Sequence, residues 1–187
     1  MADPARGEAK AAATVRERTL RAQINLRGAG AGFRATGRAV TGGEPPGDAG
    51  TVVRGDACDI AWLGPDEWLL TSETRDPAAT VDALRAGLAG QHCAVTDLGA
   101  ARRAFRIEGA RAADVLAKGT TVDLHPRAFG PGCCAQTLLG KATVLIVRAD
   151  AAPAFDVYVA RSFADYLRRW LVECGREYGI VEPPPES

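Results

Sequence analysis

The sequence has no apolar run that approaches the roughly 20 residues of a membrane-spanning helix. It also has no excess of either charge, because 23 basic residues offset 23 acidic ones. No net field therefore draws the chain to nucleic acid or to an anionic membrane, and we expect neither as a partner. The amino terminus lacks the apolar segment of a signal peptide, which predicts a cytoplasmic protein with a mobile tail over residues 1–18.

Cysteine and histidine are too few and too scattered to predict a disulfide framework or a metal site. The five cysteines include no CxxC pair, and the two histidines, His92 and His125, belong to no spaced set of zinc ligands. A cysteine–histidine dyad and a redox-active pair at Cys133 and Cys134 remain open, although a buried, inert cysteine is the commoner state. The sequence has no GxSxG or P-loop motif, and we assign no catalytic residue.

The glycine-rich segment after residue 27 raises the question of a nucleotide site. Gly30-Ala31-Gly32-Phe33-Arg34-Ala35 fits a loose GxGxxA pattern, and Asp56 follows about twenty residues later. A dinucleotide site also needs a full helix and a parallel strand, whereas residues 41–50 are rich in helix breakers. We therefore favour a long connection from Gly28 to Gly55 with at most one short helical turn.

Alternating apolar residues and turn residues predict hairpins. Residues 19–27 alternate as a half-buried strand does, and two short apolar runs at 59–63 and 68–71 flank a proline turn. Asp66 and Glu67 occupy this turn and point in different directions, so turn formation explains them better than an acid–base pair. The structural motif of this hairpin consists of Gly64, Pro65, Asp66, Glu67 and Trp68.

The rest of the chain alternates short strands and helices. Asp76-Pro77 predicts a helix start, and a returning strand follows over residues 93–96. Arg102, Arg103 and Arg106 either clamp an anion or form the solvated face of an edge strand. Later elements are a strand from Arg103, a helix over 110–118, a hairpin about Gly140-Lys141 and a strand over 155–159.

A terminal helix has the clearest periodic pattern. Ser162 and Asp165 have the spacing of a capping box. The apolar stripe favours a core element that includes Trp170, with a partner-binding groove as the alternative. The residues of the stripe are Phe163, Tyr166, Leu167, Trp170, Leu171, Cys174 and Tyr178.

These elements together predict an α+β fold with mainly antiparallel sheets and helices packed on one side. We expect one domain over residues 19–180, with two ferredoxin-like sub-halves at about 19–98 and 99–180. A proline-rich tail is expected over residues 181–187.

Four segments resemble the gamma subunit of heterotetrameric sarcosine oxidase. They are Leu63-Gly64-Pro65-Asp66-Glu67-Trp68-Leu69-Leu70, residues 121–129 (TVDLHPRAF), residues 134–140 (CAQTLLG) and residues 161–167 (RSFADYL). The region from Asp97-Leu98-Gly99 to Leu116 is similar to a pattern of the wider aminomethyltransferase-like superfamily. Gly99 stands where that pattern usually has serine.

The resemblance implies a fold similar to the folate-binding domain of aminomethyltransferase, the T-protein. It implies a non-catalytic assembly subunit with alpha, beta and delta subunits as partners. In that family the complex oxidatively demethylates sarcosine to glycine, forms hydrogen peroxide and passes the one-carbon unit to tetrahydrofolate. The resemblance places FAD, FMN, NAD, tetrahydrofolate and zinc in partner subunits and none in this chain. A free-standing folate-binding or aminomethyltransferase-like protein is the alternative.

The loop over residues 119–132 contains the segment most specific to that family. A long loop in a compact domain is usually functional, and we see no catalytic set in this one. We therefore predict a subunit interface formed by Asp123, His125, Arg127 and Phe129, with Phe129 as a buried anchor. The alternative is that Phe129 only caps the core of its own chain.

Overall fold

The computed structural model describes residues 12–149 and 152–182. The strands in these residues are β1 Thr14–Glu17, β2 Ala22–Gly28, β3 Val52–Arg54, β4 Asp59–Gly64, β5 Glu67–Ser72, β6 Cys93–Asp97, β7 Arg102–Glu108, β8 Cys134–Leu139, β9 Ala142–Arg148 and β10 Ala154–Ala160. The α-helices are α1 Ala31–Thr41, α2 Pro77–Gly87, α3 Ala112–Ala117 and α4 Ala164–Gly175. No helix in this part of the chain is long and apolar enough to cross a bilayer.

The strands form two antiparallel sheets. The first sheet has the order β3-β4-β5-β2-β6, and the second has the order β1-β7-β10-β9-β8. Every pairing between these strands is antiparallel. The predicted α+β class with antiparallel sheets is therefore confirmed.

Each sheet has helices on its outer face, and the inner faces of the two sheets pack together. Helices α1 and α2 cover the first sheet around Phe33, Trp68 and Leu84. Helices α3 and α4 cover the second sheet around Leu116 and Leu171. A third apolar cluster joins the sheets and consists of Ala61, Leu63, Leu69, Ala104, Cys134, Leu145, Val147 and Tyr158.

The ends of the described chain belong to the second sheet. Strand β1 pairs with β7, and Val15 fills the helix-side core at 1% exposure. The Val15 amide donates to the Val181 carbonyl at 3.0 Å, and the Val181 amide donates to Ala13 at 3.1 Å. The predicted tails over residues 1–18 and 181–187 are therefore wrong for residues 14–17 and 181. The parts of those tails at residues 1–11 and 183–187 lie outside the described residues.

The expectation of one helical turn between Gly28 and Gly55 is also wrong, because α1 has 11 residues. Phe33 anchors α1 by packing on Trp68, with 5.4 Å between the ring centroids. Gly42 ends the helix in the left-handed conformation at φ 77°. Most of the helix breakers therefore follow α1. The chain then folds back onto the helix, and a Cβ on Gly37 would lie 2.7 Å from the Cγ atom of Pro45.

Local turn signals gave accurate elements elsewhere. The hairpins β4–β5 and β8–β9 form as expected, and α2 has Pro77 in its first turn while the Asp76 carboxylate accepts from the Ala79 amide at 3.0 Å. Gly140 has φ 60°, and no other residue type has positive φ in the described chain. The β8–β9 turn therefore suits the predicted type II′ geometry, which needs positive φ only at its first central residue.

Candidate functional site

The hairpin motif from Gly64 to Trp68 has contacts that fix the backbone. Trp68 is 3% exposed, and its indole nitrogen donates to the Pro46 carbonyl at 2.9 Å. The Glu67 carboxylate accepts from the Asn25 side-chain amide at 2.8 Å, and the Asp66 carbonyl accepts from the Gly28 amide at 3.0 Å. These contacts join the turn to strand β2 and to the connection after α1.

The glycine-rich segment does not form a nucleotide site. Although α1 follows β2 through a glycine turn, β2 has only antiparallel neighbours in its sheet. A Cβ on Gly28 would lie 2.5 Å from Phe33 Cε2, so this side chain fills the space that a pyrophosphate needs. Asp56 contacts Gly42 at the carboxyl end of α1, the opposite end from a phosphate.

The cysteines do not form a reactive pair. Cys134 is 4% exposed, and its thiol lies within hydrogen-bonding distance of the Thr51 and Trp62 carbonyls, at 3.4 and 3.5 Å. Burial raises the pKa of the Cys134 thiol to about 12, so it stays protonated and weakly nucleophilic near neutral pH. All five cysteines have free thiols. No group of three or more His, Cys, Asp or Glu side chains within residues 12–149 and 152–182 could hold a metal ion.

Residues 119–132, here called the docking loop, are attached to the core at two points. Leu124 is 4% exposed and Phe129 is 5% exposed. The Phe129 ring stacks on Phe155 with 6.4 Å between the centroids. Phe129 therefore belongs to the core of its own chain, and the prediction that it inserts into a partner is wrong.

Local hydrogen bonds shape the exposed part of the docking loop. The Asp123 carboxylate accepts from the His125 amide at 2.9 Å, and His125 Nδ1 accepts from the Arg127 amide at 3.2 Å. The His125 carbonyl accepts from the Phe129 amide at 2.9 Å. Asp123, His125 and Arg127 all have exposed side chains, so the loop presents them in one compact turn.

Helix α4 buries a narrower stripe than its sequence predicts. Leu167 and Leu171 are fully buried, whereas Tyr166 and Trp170 are half-buried and Phe163 is 43% exposed. The Tyr166 and Trp170 side chains lie so close to Gly119 and Gly140 that a Cβ at either glycine would clash. Trp170 is therefore not the fully buried core residue that the periodicity favours.

The exposed side of α4 forms a groove, here called the α4 groove, with a volume of about 630 Å³. Phe163 lies edge-on to Tyr166, with 6.3 Å between the ring centroids. The predicted capping box is wrong, because a 3-10 turn over Arg161–Phe163 precedes α4 and neither segment has a side-chain capping bond. The groove is lined by Asp165, Tyr166, Arg169, Trp170 and Glu173.

A cluster of charged side chains lies between the two sheets, next to the apolar side chains through which the sheets pack. Asp156 on β10 is 1% exposed and accepts from Arg106 Nε at 2.8 Å and from Arg106 Nη2 at 2.9 Å. It also accepts from Arg18 Nη1 at 2.7 Å, and Arg18 pairs with Glu73 on the other side. Arg54 pairs with Asp59 at the same opening.

This cluster answers the question about the arginines of β7. Strand β7 lies between β1 and β10, so it is not an edge strand. Arg106 points into the space between the sheets, whereas Arg103 pairs with Glu17 at 3.3 Å. The sequence alone does not identify Arg18 and Arg106 as the partners of Asp156, because both are distant from it along the chain.

Known proteins resemble this chain over most of its length. The family described as sarcosine oxidase, gamma subunit family, matches residues 27–177. A sarcosine oxidase subunit gamma from Corynebacterium sp. (strain U-96) is 35% identical over 174 residues, which cover 91% of this chain and 83% of the relative. A subunit of the same name from Arthrobacter sp is 31% identical over 178 residues, with 93% and 85% covered.

Two solved structures resemble the fold. A chain of the heterotetrameric sarcosine oxidase from Corynebacterium sp. U-96, in complex with pyrrole 2-carboxylate, has a TM-score of 0.84 and 32% identity, with 94% of this chain and 90% of the other covered. Aminomethyltransferase T of the glycine cleavage system from Bartonella henselae has a TM-score of 0.64 and 15% identity, with 92% and 48% covered. The second similarity concerns the fold alone.

Proposed function

Because the chain belongs to the sarcosine oxidase gamma subunit family, we propose that it is a non-catalytic assembly subunit of a heterotetrameric sarcosine oxidase. The observation that most supports this proposal is the match to one chain of such a complex, at a TM-score of 0.84 over 94% of this chain. The family match over residues 27–177 includes the docking loop. A subunit of this kind contributes surfaces for partners rather than reacting groups.

The proposed complex contains alpha, beta and delta subunits besides this chain. It oxidatively demethylates sarcosine to glycine, reduces oxygen to hydrogen peroxide and passes the one-carbon unit to tetrahydrofolate. In this proposal FAD, FMN, NAD, tetrahydrofolate and zinc bind to the other subunits. The closed turn at Gly28, which Phe33 fills, is consistent with a chain that does not bind a dinucleotide itself.

Structural roles account for the residues that could otherwise suggest catalysis. Asp66 and Glu67 join the β4–β5 turn to β2 and its neighbourhood, and Cys134 is a buried thiol with a pKa of about 12. His125 accepts a backbone hydrogen bond inside the docking loop. The same residues therefore support a scaffold role.

We propose that the exposed turn of the docking loop is a contact with a larger subunit. Leu124 and Phe129 attach the turn to the core on both sides, so the position of Asp123, His125 and Arg127 is set before a partner binds. Such preorganisation reduces the entropy that association costs. Arg127 supplies a planar guanidinium suited to a carboxylate on the partner.

Co-expression of the tagged full chain with the three other subunits tests this function. We expect the wild-type chain to recover all of them, and the double variant His125→Ala with Arg127→Ala to weaken assembly by about tenfold or more. Thermal melting should stay near wild type, because both side chains are exposed. Arg21→Ala is the matched control, since its side chain is 59% exposed and lies outside the loop.

Activity separates an assembly role from a catalytic one. We expect oxidase activity per assembled complex to be unchanged in the double variant, with total activity falling only as assembly falls. Intact assembly with a lower activity per complex would contradict the non-catalytic role. Failure of the wild-type chain to recover the other subunits, combined with folate binding by the chain alone, would favour the free-standing folate-binding alternative.

A further inference from the structure

Three of the four sheet edges in the described chain are protected by other parts of the same chain. Strand β1 is covered by the hydrogen bonds between Val15 and the carboxyl-terminal segment. At β3, the Val52 amide donates to the Gly132 carbonyl at 2.7 Å. At β6, the Arg85 guanidinium donates to the Val95 carbonyl at 3.0 Å. Such contacts protect a sheet, because an unpaired edge attracts a further strand and a charged side chain on the edge discourages it.

The second half of β8, at the fourth edge, has its unpaired backbone groups on the outer side. The Arg148 amide of β9 donates to the Cys133 carbonyl at 2.9 Å, which sets the hydrogen-bonding pattern along the two strands. Because bonded positions alternate in an antiparallel pair, Ala135 and every second residue after it bond to β9. Gln136 and Leu138 therefore direct their backbone amide and carbonyl groups away from the sheet.

These outward groups have almost no partners within the described residues. Neither the Gln136 amide nor the Leu138 amide has a hydrogen-bond acceptor there, and the Leu138 carbonyl accepts from the neighbouring Thr137 hydroxyl alone, at 3.3 Å. The first half of β8 is different, because the Cys134 amide donates to the Gly50 carbonyl at 2.7 Å. The two open positions lie about 7 Å apart along the strand, which is enough for a short extended segment to pair with both.

The open part of β8 also presents an apolar side chain. Leu138 is 57% exposed, more than any other large apolar side chain in the described part of the chain. The sequence from Gln136 to Leu139 contains no charged residue and no proline, the residues that usually prevent an edge from pairing. Strand addition uses this combination, since backbone hydrogen bonds give affinity and the side chains beside them give specificity.

We propose that the second half of β8 pairs with an extended segment of a larger subunit, which continues the second sheet across the subunit boundary. This inference deepens the proposed assembly role and rests on it. The β8 edge adjoins the docking loop, because the Thr120 and Thr137 hydroxyls lie 3.1 Å apart and the Gly140 amide donates to the Gly119 carbonyl at 3.0 Å. One partner can therefore contact both surfaces. We expect an apolar residue of the partner beside Leu138, since side chains on one face of paired strands contact each other.

Hydrogen exchange of the full chain, alone and in the complex recovered with the three other subunits, tests the pairing through the mass of the β8 peptide. In the free chain we expect the Gln136 and Leu138 amides to exchange fast, because neither is hydrogen-bonded. In the complex both should exchange at least about tenfold more slowly. The β6 peptide is the matched control, since Arg85 occupies that edge and its exchange should not change.

The outcomes separate this inference from the assembly role. Unchanged exchange at both β8 amides in an assembled complex would overturn the inference and leave the assembly role intact. Failure of the wild-type chain to assemble would overturn both. Dimerisation of the chain alone, with protection of the same two amides, would replace the larger subunit by a second copy as the occupant and would also overturn the inference.

Two substitutions at Leu138 separate the backbone from the side chain. Leu138→Pro removes the outward amide without removing a hydrogen bond to β9, and we expect it to weaken recovery of the other subunits by about tenfold or more. Leu138→Ala keeps the amide and should weaken recovery less. Equal losses in the two variants would overturn strand pairing in favour of a simple apolar contact. Both variants should melt near the wild-type temperature; if Leu138→Pro does not, the exchange of the wild-type chain decides.

Discussion

Substitution of Asp156 by asparagine tests the charged cluster that joins the two sheets. The Asp156 carboxylate is 1% exposed and accepts three charge-assisted hydrogen bonds, at 2.7, 2.8 and 2.9 Å. Its arginine partners have side-chain exposures of only 8% and 18%. Removal of one partner from a buried ion pair costs about 3–5 kcal/mol, because the remaining charge stays buried. We expect Asp156→Asn to lower the free energy of unfolding by about that amount.

Urea unfolding of the full chain, followed by circular dichroism, measures this loss. With a urea dependence of about 2 kcal/mol per molar, the midpoint should fall by roughly 2 M. The control is Asp114→Asn, because Asp114 also lies 2.9 Å from an arginine but its side chain is 45% exposed. An exposed pair of this kind contributes about 0–1 kcal/mol, so the control midpoint should fall by less than about 0.5 M.

A midpoint for Asp156→Asn that matches the control would refute the reasoning. It would mean that water between the sheets solvates Arg18 and Arg106 as well as the carboxylate does. The buried cluster would then have no greater energetic effect than a surface ion pair. A lower slope of the unfolding curve, rather than a lower midpoint, would instead indicate a change in the surface exposed on unfolding.

Two further predictions follow from close packing and from burial. Gly119→Ala should lower the melting temperature by about 3 °C or more, because its Cβ would lie 2.6 Å from Trp170 Cη2; Gly130→Ala, with its nearest contact at 3.5 Å, should not, and equal melting of the two variants would contradict this packing. Burial raises the pKa of the Cys134 thiol to about 12, so the folded thiol stays protonated at a pH at which the unfolded thiol, with a pKa of about 8.5, ionises. The free energy of unfolding should therefore fall as the pH rises from about 8.5 towards 12, because the stabilisation that the buried, protonated thiol provides is lost over that range. Iodoacetamide at pH 8, followed by peptide mass spectrometry, should label Cys134 far more slowly in the native chain than in urea, and similar rates would refute the burial.

Local signals in the sequence were sufficient to predict the elements whose ends depend on a capping residue or a turn glycine. The helix after Asp76 and the hairpin at Gly140 form as predicted, since an N-cap or a glycine with positive φ fixes each of them without distant contacts. Helix α1 was missed because its anchor, Phe33, packs on Trp68 of strand β5, a contact between residues distant in sequence. The resemblance to the gamma subunit family, which depends on longer segments, is confirmed.

The charged cluster between the sheets could be predicted only in part. The alternation on β10 separates Asp156 from its apolar neighbours, but the carboxylate is neutralised by residues that only the sheet register identifies. Arg106 lies directly opposite Asp156 in the β7–β10 pairing, and Arg18 follows the short strand β1. A prediction that treats residues 1–18 as a mobile tail necessarily loses Arg18 and with it the cluster.

The half-buried aromatic residues of α4 connect the α4 groove to the docking loop, two surfaces that a partner could use. The same Trp170 lines the α4 groove and packs over Gly119, the first residue of the docking loop. The Tyr166 hydroxyl accepts from the Lys141 amide at 2.9 Å, which fixes the β8–β9 turn against the same helix. Periodicity alone assigns these aromatic residues to the core, because it contains no information on the glycines of other elements that leave room for them at the surface. Their position instead makes α4 a support for the loop, so a partner that displaced Trp170 would also change the start of the docking loop.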